Sequence, residues 1–209
     1  MTTAASRPGP PSGSPPLPAR AIIGLSETVF AIEKILVGLF MTLVLGLILL
    51  NVVTRYAGMP LYWVDEAAVY AMVWLTFIGG SALTRLRLDF AVTLLSDKLQ
   101  KQNAERLQAF ATLLAFLFSL ALGIMCWNWM DPIGIASAGF DAREYAGESF
   151  NFLYTEQTQT LNWPVWAISL VVPLFALTMM IHTAANLVEE MKFAPKRPRL
   201  AFANAEGVN

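Results

Sequence analysis

The chain has 209 residues, of which 56% are hydrophobic and only 14% are charged, and its formal net charge is −1. Because an average soluble domain carries roughly 25% charged residues, this composition indicates an integral membrane protein. The balanced charge offers no basic surface for nucleic acid, and the single cysteine, Cys126, excludes a disulfide framework.

The apolar stretches predict an all-α fold with four transmembrane helices. Each stretch is long enough to cross about 30 Å of hydrocarbon at about 1.5 Å per residue. The predicted spans cover residues 33–54, 64–84, 107–130 and 162–188. They belong to one membrane domain over residues 21–193. Residues 1–20, rich in Pro and Ser, are predicted to be a disordered tail, and residues 194–209 form a second tail.

Three segments outside the spans have patterns of their own. Residues 20–34 and the basic connector 85–106 mix apolar and charged positions in the way that is typical of amphipathic helices at a membrane surface. Residues 131–161 form a long acidic and aromatic loop. In the last span Pro173 predicts a kink, because proline removes a backbone donor.

Small residues recur every four positions in the first three spans, which places them on one face of each helix and permits close helix packing. The three sets are Gly38, Thr42 and Gly46; Thr76, Gly80 and Thr84; and Ala115, Ser119 and Gly123. This spacing predicts that helices pack there without showing whether the neighbouring helix belongs to the same chain.

The distribution of Lys and Arg predicts that both termini face the cytoplasm. Of the 14 basic residues, only Arg55 and Arg143 fall in the first and third loops. All the others lie ahead of the first span or at its start, in the connector between the second and third spans, or after the last span. Because cytoplasmic loops carry the excess of basic residues, we expect an N-in, C-in topology.

The sequence places no ionisable residue in the middle of a span, where an intramembrane catalytic or transport site would be visible. His182, the only histidine, is predicted to be a polar residue near the end of the last helix. The hydroxyl residues at depth are predicted to hydrogen-bond to their own helices. They are Thr42, Thr76, Ser81, Thr112, Ser119, Ser169 and Thr178. We therefore predict no catalytic residue, cofactor or metal in this chain.

The hairpin between the first two spans, within residues 51–89, is predicted to turn at Gly58, Met59 and Pro60, and it contains the candidate site residues. The simplest interpretation of its polar members is an interface anchor, an aromatic belt residue and charges at a helix N-terminus. The alternative is that they fix the hairpin against another protein, and that the glycines of the second span allow that protein to approach closely. The candidates are Arg55, Trp63, Asp65, Glu66, Trp74, Gly79 and Gly80.

Three stretches of the chain resemble the small membrane subunit of tripartite ATP-independent periplasmic (TRAP) transporters, the DctQ-like family. Arg55 to Glu66 is similar to the family's R-Y followed by W-x-E-E, with Asp65 in place of the first Glu. Trp74 to Gly80, WLTFIGG, is similar to its W-L-x-F-x-G-x stretch, and Leu161 to Pro173 is similar to the opening of its last helix. The resemblance covers most of residues 25–190.

The resemblance implies a bacterial inner-membrane protein that works with two partners. These are a large multispan permease subunit, which holds the substrate and sodium sites, and a periplasmic substrate-binding protein that commonly delivers an organic acid. This chain would be a non-catalytic scaffold without a substrate site. The alternative is a self-contained homo-oligomeric transporter, for which Glu33 and Glu66 are the nearest membrane carboxylates. A membrane enzyme or cytochrome subunit is disfavoured by the single His and Cys.

Two features depart from the family pattern. The family often has a His shortly after the second helix, where this chain has Arg87-Leu88-Asp89. The outer loop 131–161 is also longer than in compact members, and it is a candidate contact for the periplasmic partner.

Overall fold

A computed structural model of the chain describes residues 16–87 and 99–195. The helices in these ranges are α1 (Leu17–Tyr56), α2 (Tyr62–Leu86), α3 (Lys101–Met130), α4 (Pro132–Ser137), α5 (Ala142–Ser149), α6 (Val165–Ser169) and α7 (Val171–Glu190). Four segments are long and apolar enough to cross a membrane, namely α1, α2, the region of α3 and the α6–α7 region. The predicted all-helical fold with four such helices is therefore confirmed.

Helix α7 lies at the centre of the packing, because it contacts α1, α2 and α3. Helices α1 and α2 pack on each other as a hairpin, with an apolar centre formed by Leu47, Val64, Ala68 and Ala71. The hairpin turns at Gly58, whose φ of 74° is a left-handed conformation that glycine adopts without a steric penalty. The predicted turn between the first two helices is thus confirmed.

Helix α1 begins earlier than the sequence predicted. It runs without interruption from Leu17 to Tyr56, so the predicted tail is too long at its C-terminal end and residues 20–34 are not a separate surface helix. The physical reason is burial: Ser26, Phe30 and Glu33 are enclosed, and α1 packs on α7 as well as on α2. Residues 1–15 of the predicted tail lie outside the described residues, as do 88–98 of the basic connector and 196–209.

The last span is interrupted, as predicted, and the interruption lies just before Pro173. Helix α6 ends at Ser169 and α7 begins at Val171, with Leu170 between them. Proline at position 173 cannot donate the backbone hydrogen bond that would reach back four residues to the carbonyl of Ser169. The loss of that bond explains why the helix breaks on this turn.

The predicted outer loop 131–161 contains two short helices and is fastened to the end of α3. Asp131 accepts a hydrogen bond from the Gly134 backbone N–H (3.0 Å) and another from the Tyr145 hydroxyl (2.9 Å). Asn151 donates to the Trp129 carbonyl at 2.8 Å, and Tyr154 donates to the Met130 carbonyl. These bonds satisfy carbonyl groups that a helix end leaves unpaired, so the segment has an internal structure of its own.

Helix α5 within this segment is capped by Asp141. One carboxylate oxygen accepts from the backbone N–H groups of Arg143 (2.9 Å) and Glu144 (3.1 Å). The N–H of Glu144 and then that of Arg143 hold the pKa of the Asp141 carboxyl below its usual value. This is the arrangement expected of an aspartate at a helix N-terminus.

We expect Gly134→Ala to destabilise the outer segment by about 1–3 kcal/mol, the usual cost of overpacking. A Cβ at this position would lie 2.0 Å from Oδ2 of Asp131 and 2.8 Å from Cε2 of Tyr145. Hydrogen exchange over residues 131–154 measures the effect, and it should become faster. The matched control is Gly147→Ala in α5, where a Cβ meets nothing within 4 Å and exchange should be unchanged or slower. Equal effects of the two substitutions would contradict the predicted clash.

Only some of the small-residue faces pack closely against another helix of the chain. A Cβ built on Gly80 would lie 3.6 Å from the ring of Phe175, an ordinary contact, so α2 approaches α7 closely there. At Gly38, Gly46 and Gly123 a Cβ would meet nothing within 4 Å. The face of α1 that carries Gly38, Thr42 and Gly46 is therefore exposed in the described structure, whereas the face of α3 that carries Ser119 and Gly123 borders a cavity beside α7.

Candidate functional site

Polar side chains concentrate at the two ends of the helix bundle. Glu27 and Arg55 mark these ends on α1, and about 42 Å of helix separates them at about 1.5 Å per residue. This length matches the roughly 40–45 Å thickness of a bilayer with its headgroups. We call the first group, Asn51, Arg55, Asp65 and Glu66, the hairpin network. The second group, which we call the arginine network, comprises Glu27, Arg85, Arg87, Asn186, Glu189 and Glu190.

In the hairpin network, Arg55 joins the end of α1 to the start of α2. Its Nη2 lies 2.7 Å from Oδ2 of Asp65, with 61% and 46% of the two side chains exposed. Its Nε donates to Asn51 at 2.8 Å, and Asn51 also donates to Asp65. Exposed ion pairs contribute only about 0–1 kcal/mol. The pair therefore orients the hairpin more than it stabilises the fold.

Glu66 holds the segment that precedes α6. Its carboxylate accepts from the backbone N–H groups of Gln159 (3.0 Å), Thr160 (2.7 Å) and Leu161 (3.0 Å), and from the Thr160 hydroxyl. The hydroxyl of Tyr70 donates to it at 3.2 Å. One carboxylate thus gathers several backbone donors in the manner of an anion-binding turn.

We predict that Glu66→Gln releases this turn, because an amide replaces one acceptor oxygen with a donor that faces other donors. Amide exchange at residues 159–161 should become several-fold faster, as measured by hydrogen exchange with mass spectrometry. Glu148→Gln, on an exposed position of α5, is the matched control and should leave that turn unchanged. Unaltered exchange in the Glu66 variant would show that these hydrogen bonds do not hold the segment.

The remaining predicted candidates lie on α2. The indole N–H of Trp74 donates to the carbonyl of Ile168 at 3.1 Å, beside the helix break, and its ring stacks on Phe40 at 5.9 Å between centroids. Trp63 is 40% exposed at the hairpin, and a Cβ at Gly79 would meet nothing within 4 Å. The structure thus assigns contacts within the chain to Arg55, Asp65, Glu66 and Trp74. A role of any candidate in docking a partner stays a prediction.

The arginine network is centred on Arg85, which is 1% exposed. Its Nη2 donates to Glu27 at 2.7 Å and to Glu189 at 2.8 Å, and its Nη1 donates to Asn186 at 2.6 Å. These partners come from the beginning of α1 and the end of α7, so one guanidinium joins three helices. Arginine suits this position because its planar group presents several donors in fixed directions.

Arg87 completes the network from a left-handed backbone conformation with a φ of 56°. Its Nη2 donates to Glu189 at 2.8 Å and to the carbonyl of Asn186 at 3.1 Å, and its Nη1 donates to Glu190. A cation is favoured at these carbonyls because the C-terminal end of a helix carries partial negative charge. Among the described residues, the Nε of Arg87 is a buried polar side-chain atom without a hydrogen-bond partner.

Sequence reasoning missed this network. The sequence pattern places Arg85 and Arg87 in the basic connector and Glu189 and Glu190 directly after the predicted last span, without indicating that they pair. A usable signal is present, since two basic residues end one helix and two acidic residues end another on the same predicted side of the membrane. Opposite charges at the same depth in the membrane are expected to pair.

His182 is not a polar helix-end residue, contrary to the prediction. It lies inside α7 with no exposed surface. Its Nδ1 lies 2.8 Å from Oγ of Ser26, and its Nε2 lies 2.9 Å from Oε2 of Glu33. The imidazole therefore bridges two positions of α1 that are two helical turns apart, because an otherwise unpaired polar ring would be costly to bury.

The order Ser26–His182–Glu33 has the connectivity of a hydrolytic triad, in which a hydroxyl, an imidazole and a carboxylate are hydrogen-bonded in sequence. A nucleophile must reach the carbon that it attacks. Ser26 has no exposed surface in this structure, so a substrate carbonyl has no route to its hydroxyl. The arrangement connects helices instead.

The cavities of the bundle are lined mainly by apolar side chains. One of about 230 Å³ lies between α1, α2 and α7 and is bordered by Glu33 and Thr178. Another of about 460 Å³ lies near the hairpin and is bordered by Trp63, Tyr70 and Trp74. Within the described ranges, no group of three or more His, Cys, Asp or Glu side chains is arranged to hold a metal ion.

The chain matches the model of a known protein family. The family model of the DctQ component of tripartite ATP-independent periplasmic transporters matches residues 44–193. No curated protein and no solved structure matches the chain. The matched range includes Arg85, His182 and Glu189, whereas their partners on the first half of α1 precede it. Since the match covers well over half of the sequence, the chain belongs to the DctQ family, the small membrane component of TRAP transporters.

Proposed function

We propose that this chain is the non-catalytic scaffold of a TRAP transporter, which supports a large multispan subunit that moves the substrate. The observation that carries this proposal is the pairing of its interior charges. Every charged or imidazole side chain that is buried in the described residues has a partner within the chain, as in Arg85 with Glu189 and Glu33 with His182. Groups engaged in this way stabilise one arrangement of helices, which suits a support.

The alternative, a self-contained homo-oligomeric transporter, would require a membrane carboxylate that binds and releases an ion or proton. Glu33 and Glu66 are the candidates. Glu33 is held by His182 and is 5% exposed, and Glu66 receives several donors from residues 159–161. Both carboxylates are already used to connect elements of the chain, which favours the scaffold.

The substrate and the coupling ion belong to this proposal as well. In the family that the chain belongs to, an organic acid delivered by a periplasmic binding protein and taken up with sodium is the expected transport reaction. Thermal-shift screening of the purified binding protein against a panel of organic acids would identify the ligand. Uptake of that labelled acid is then measured in cells that carry all three components, with and without sodium.

The scaffold proposal predicts that uptake requires all three components and is lost when this chain is omitted. Uptake by this chain alone, or full uptake without it, would contradict the proposal. Orientation is tested separately with reporters fused to the C-terminus, where we expect a cytoplasmic signal in a bacterial inner membrane. A periplasmic signal would overturn the N-in, C-in topology.

A further inference from the structure

The outer segment presents two phenylalanines in a way that the stability of this chain does not explain. Phe140 and Phe150 have φ values of 63° and 56°, a left-handed conformation that glycine usually supplies after a helix. Their exposed fractions are 76% and 79%, so neither side chain gains from burial in the described structure. Strained positions that carry exposed apolar groups indicate a role outside the fold.

Hydrogen bonds fix the depth of Phe150 and Phe152. Asn151, between them, donates to the Trp129 carbonyl in the last turn of α3, and Tyr154 donates to the carbonyl of Met130. Because α3 belongs to a segment that is long and apolar enough to cross a membrane, we place the membrane boundary at its last turn. Both phenylalanines are therefore held at the level of the lipid headgroups and the adjoining acyl chains.

The same level carries exposed tryptophans. Trp127 and Trp129 on α3 are 57% and 43% exposed, and Ile133, just beyond the helix end, is 67% exposed. Trp is enriched at membrane interfaces because its ring is apolar and its N–H is polar. The exposed apolar side chains of the outer segment thus follow directly on the exposed apolar surface at the end of α3.

We propose that Ile133, Phe150 and Phe152 insert into the interfacial layer of the lipid bilayer, so that the outer segment is a membrane anchor. The continuity with α3 favours lipid over a soluble protein, which would have to displace headgroups to reach this depth. The charged face of α5 remains in water, since Asp141, Glu144 and Glu148 are exposed. This inference does not depend on the scaffold role proposed above.

Single cysteines provide the test. In a Cys126→Ala background of the full chain, Phe150→Cys and Phe152→Cys are labelled with bimane, and Glu144→Cys and Glu148→Cys are the matched controls. The proteins are placed in nanodiscs of phosphatidylethanolamine and phosphatidylglycerol, with or without lipids that carry a doxyl quencher near the headgroup. Retention of the wild-type elution volume and helical circular dichroism establishes that each variant is folded.

The anchor predicts that labels at positions 150 and 152 are quenched by doxyl lipid and are several-fold less sensitive to aqueous iodide than the two controls. Iodide quenching equal to that of the controls would overturn the proposal. So would protection from both quenchers, which would show burial in protein. Protection that arises only after addition of the large subunit or binding protein would identify a protein-docking surface instead, and would also overturn it.

Discussion

Replacing Arg85 with methionine is expected to lower the free energy of unfolding by about 3–5 kcal/mol, the usual cost of removing one member of a buried ion pair. The side chain is 1% exposed and contacts Glu27, Asn186 and Glu189. Its loss leaves the carboxylate of Glu189, itself 2% exposed, with one fewer cationic partner. The link that Arg85 makes between the first and last helices at this end of the bundle would then be lost.

The matched control is Arg55→Met at the opposite end of α1. Its ion pair with Asp65 is similar in length, 2.7 Å, but largely exposed, so the expected loss is about 0–1 kcal/mol. Unfolding in mixed micelles of mild detergent and SDS, followed by tryptophan fluorescence, measures both variants. Arg85→Lys should recover only part of the stability, because an ammonium group cannot reproduce the fork of donors. Equal losses at the two ends would show that the arginine network is not a stabilising centre.

The second large effect is expected at Glu33 and His182. His182→Leu should destabilise the chain by about 3–5 kcal/mol, because Glu33 then remains buried without its imidazole partner. Glu33→Met should cost about 1–3 kcal/mol, since it leaves one ring nitrogen of His182 unsatisfied. The double variant should be more stable than the sum of the two losses predicts, because both polar groups are gone and apolar side chains fill the space.

The coupling between the two substitutions is the quantity to measure, in the same unfolding assay. Residues in direct contact commonly show interaction energies of about 0.5–3 kcal/mol, and a value in this range is expected. Thr42→Val is a suitable control, since its hydroxyl is exposed and donates to the Gly38 carbonyl of its own helix at 2.9 Å. Strict additivity of the Glu33 and His182 effects would contradict the buried contact.

Features that depend on residues close together in the sequence could be predicted from the sequence. The apolar stretches located the four long helices, and Gly58 and Pro173 located the hairpin turn and the interruption of the last span. Most of the hydroxyls at depth bond to their own helices as predicted, namely Thr42, Thr76, Thr112, Ser119 and Thr178. Such bonds reach back three or four residues, so helix formation alone determines them.

Features that depend on the way the helices are arranged could not be predicted. The Ser81 hydroxyl donates to the Thr178 hydroxyl on another helix at 2.7 Å, and not to a carbonyl of its own helix as predicted. His182 is 156 positions from Ser26, and no periodicity in either helix specifies that pairing. The start of α1 was predicted wrongly for the same reason. The mixed apolar and charged composition around Glu33 is typical of a membrane surface, and only the packing of α7 shows that Glu33 is buried against His182.

The hairpin candidates also combine a local feature that could be predicted with a long-range contact that could not. The sequence indicated that Glu66 is an acidic residue in the first part of α2, where negative charge is favoured. It could not indicate that the backbone of residues 159–161 returns to this carboxylate from the other end of the chain. Local composition thus suggested the importance of the position, whereas the topology of the bundle determines what it binds.

The most direct test of the scaffold role is an affinity purification of this chain from native membranes in mild detergent, with mass spectrometry of the proteins that accompany it. We predict a large multispan subunit in stoichiometric amount. A chain that instead purifies alone as a stable homo-oligomer, and moves solute in liposomes, would contradict the scaffold role.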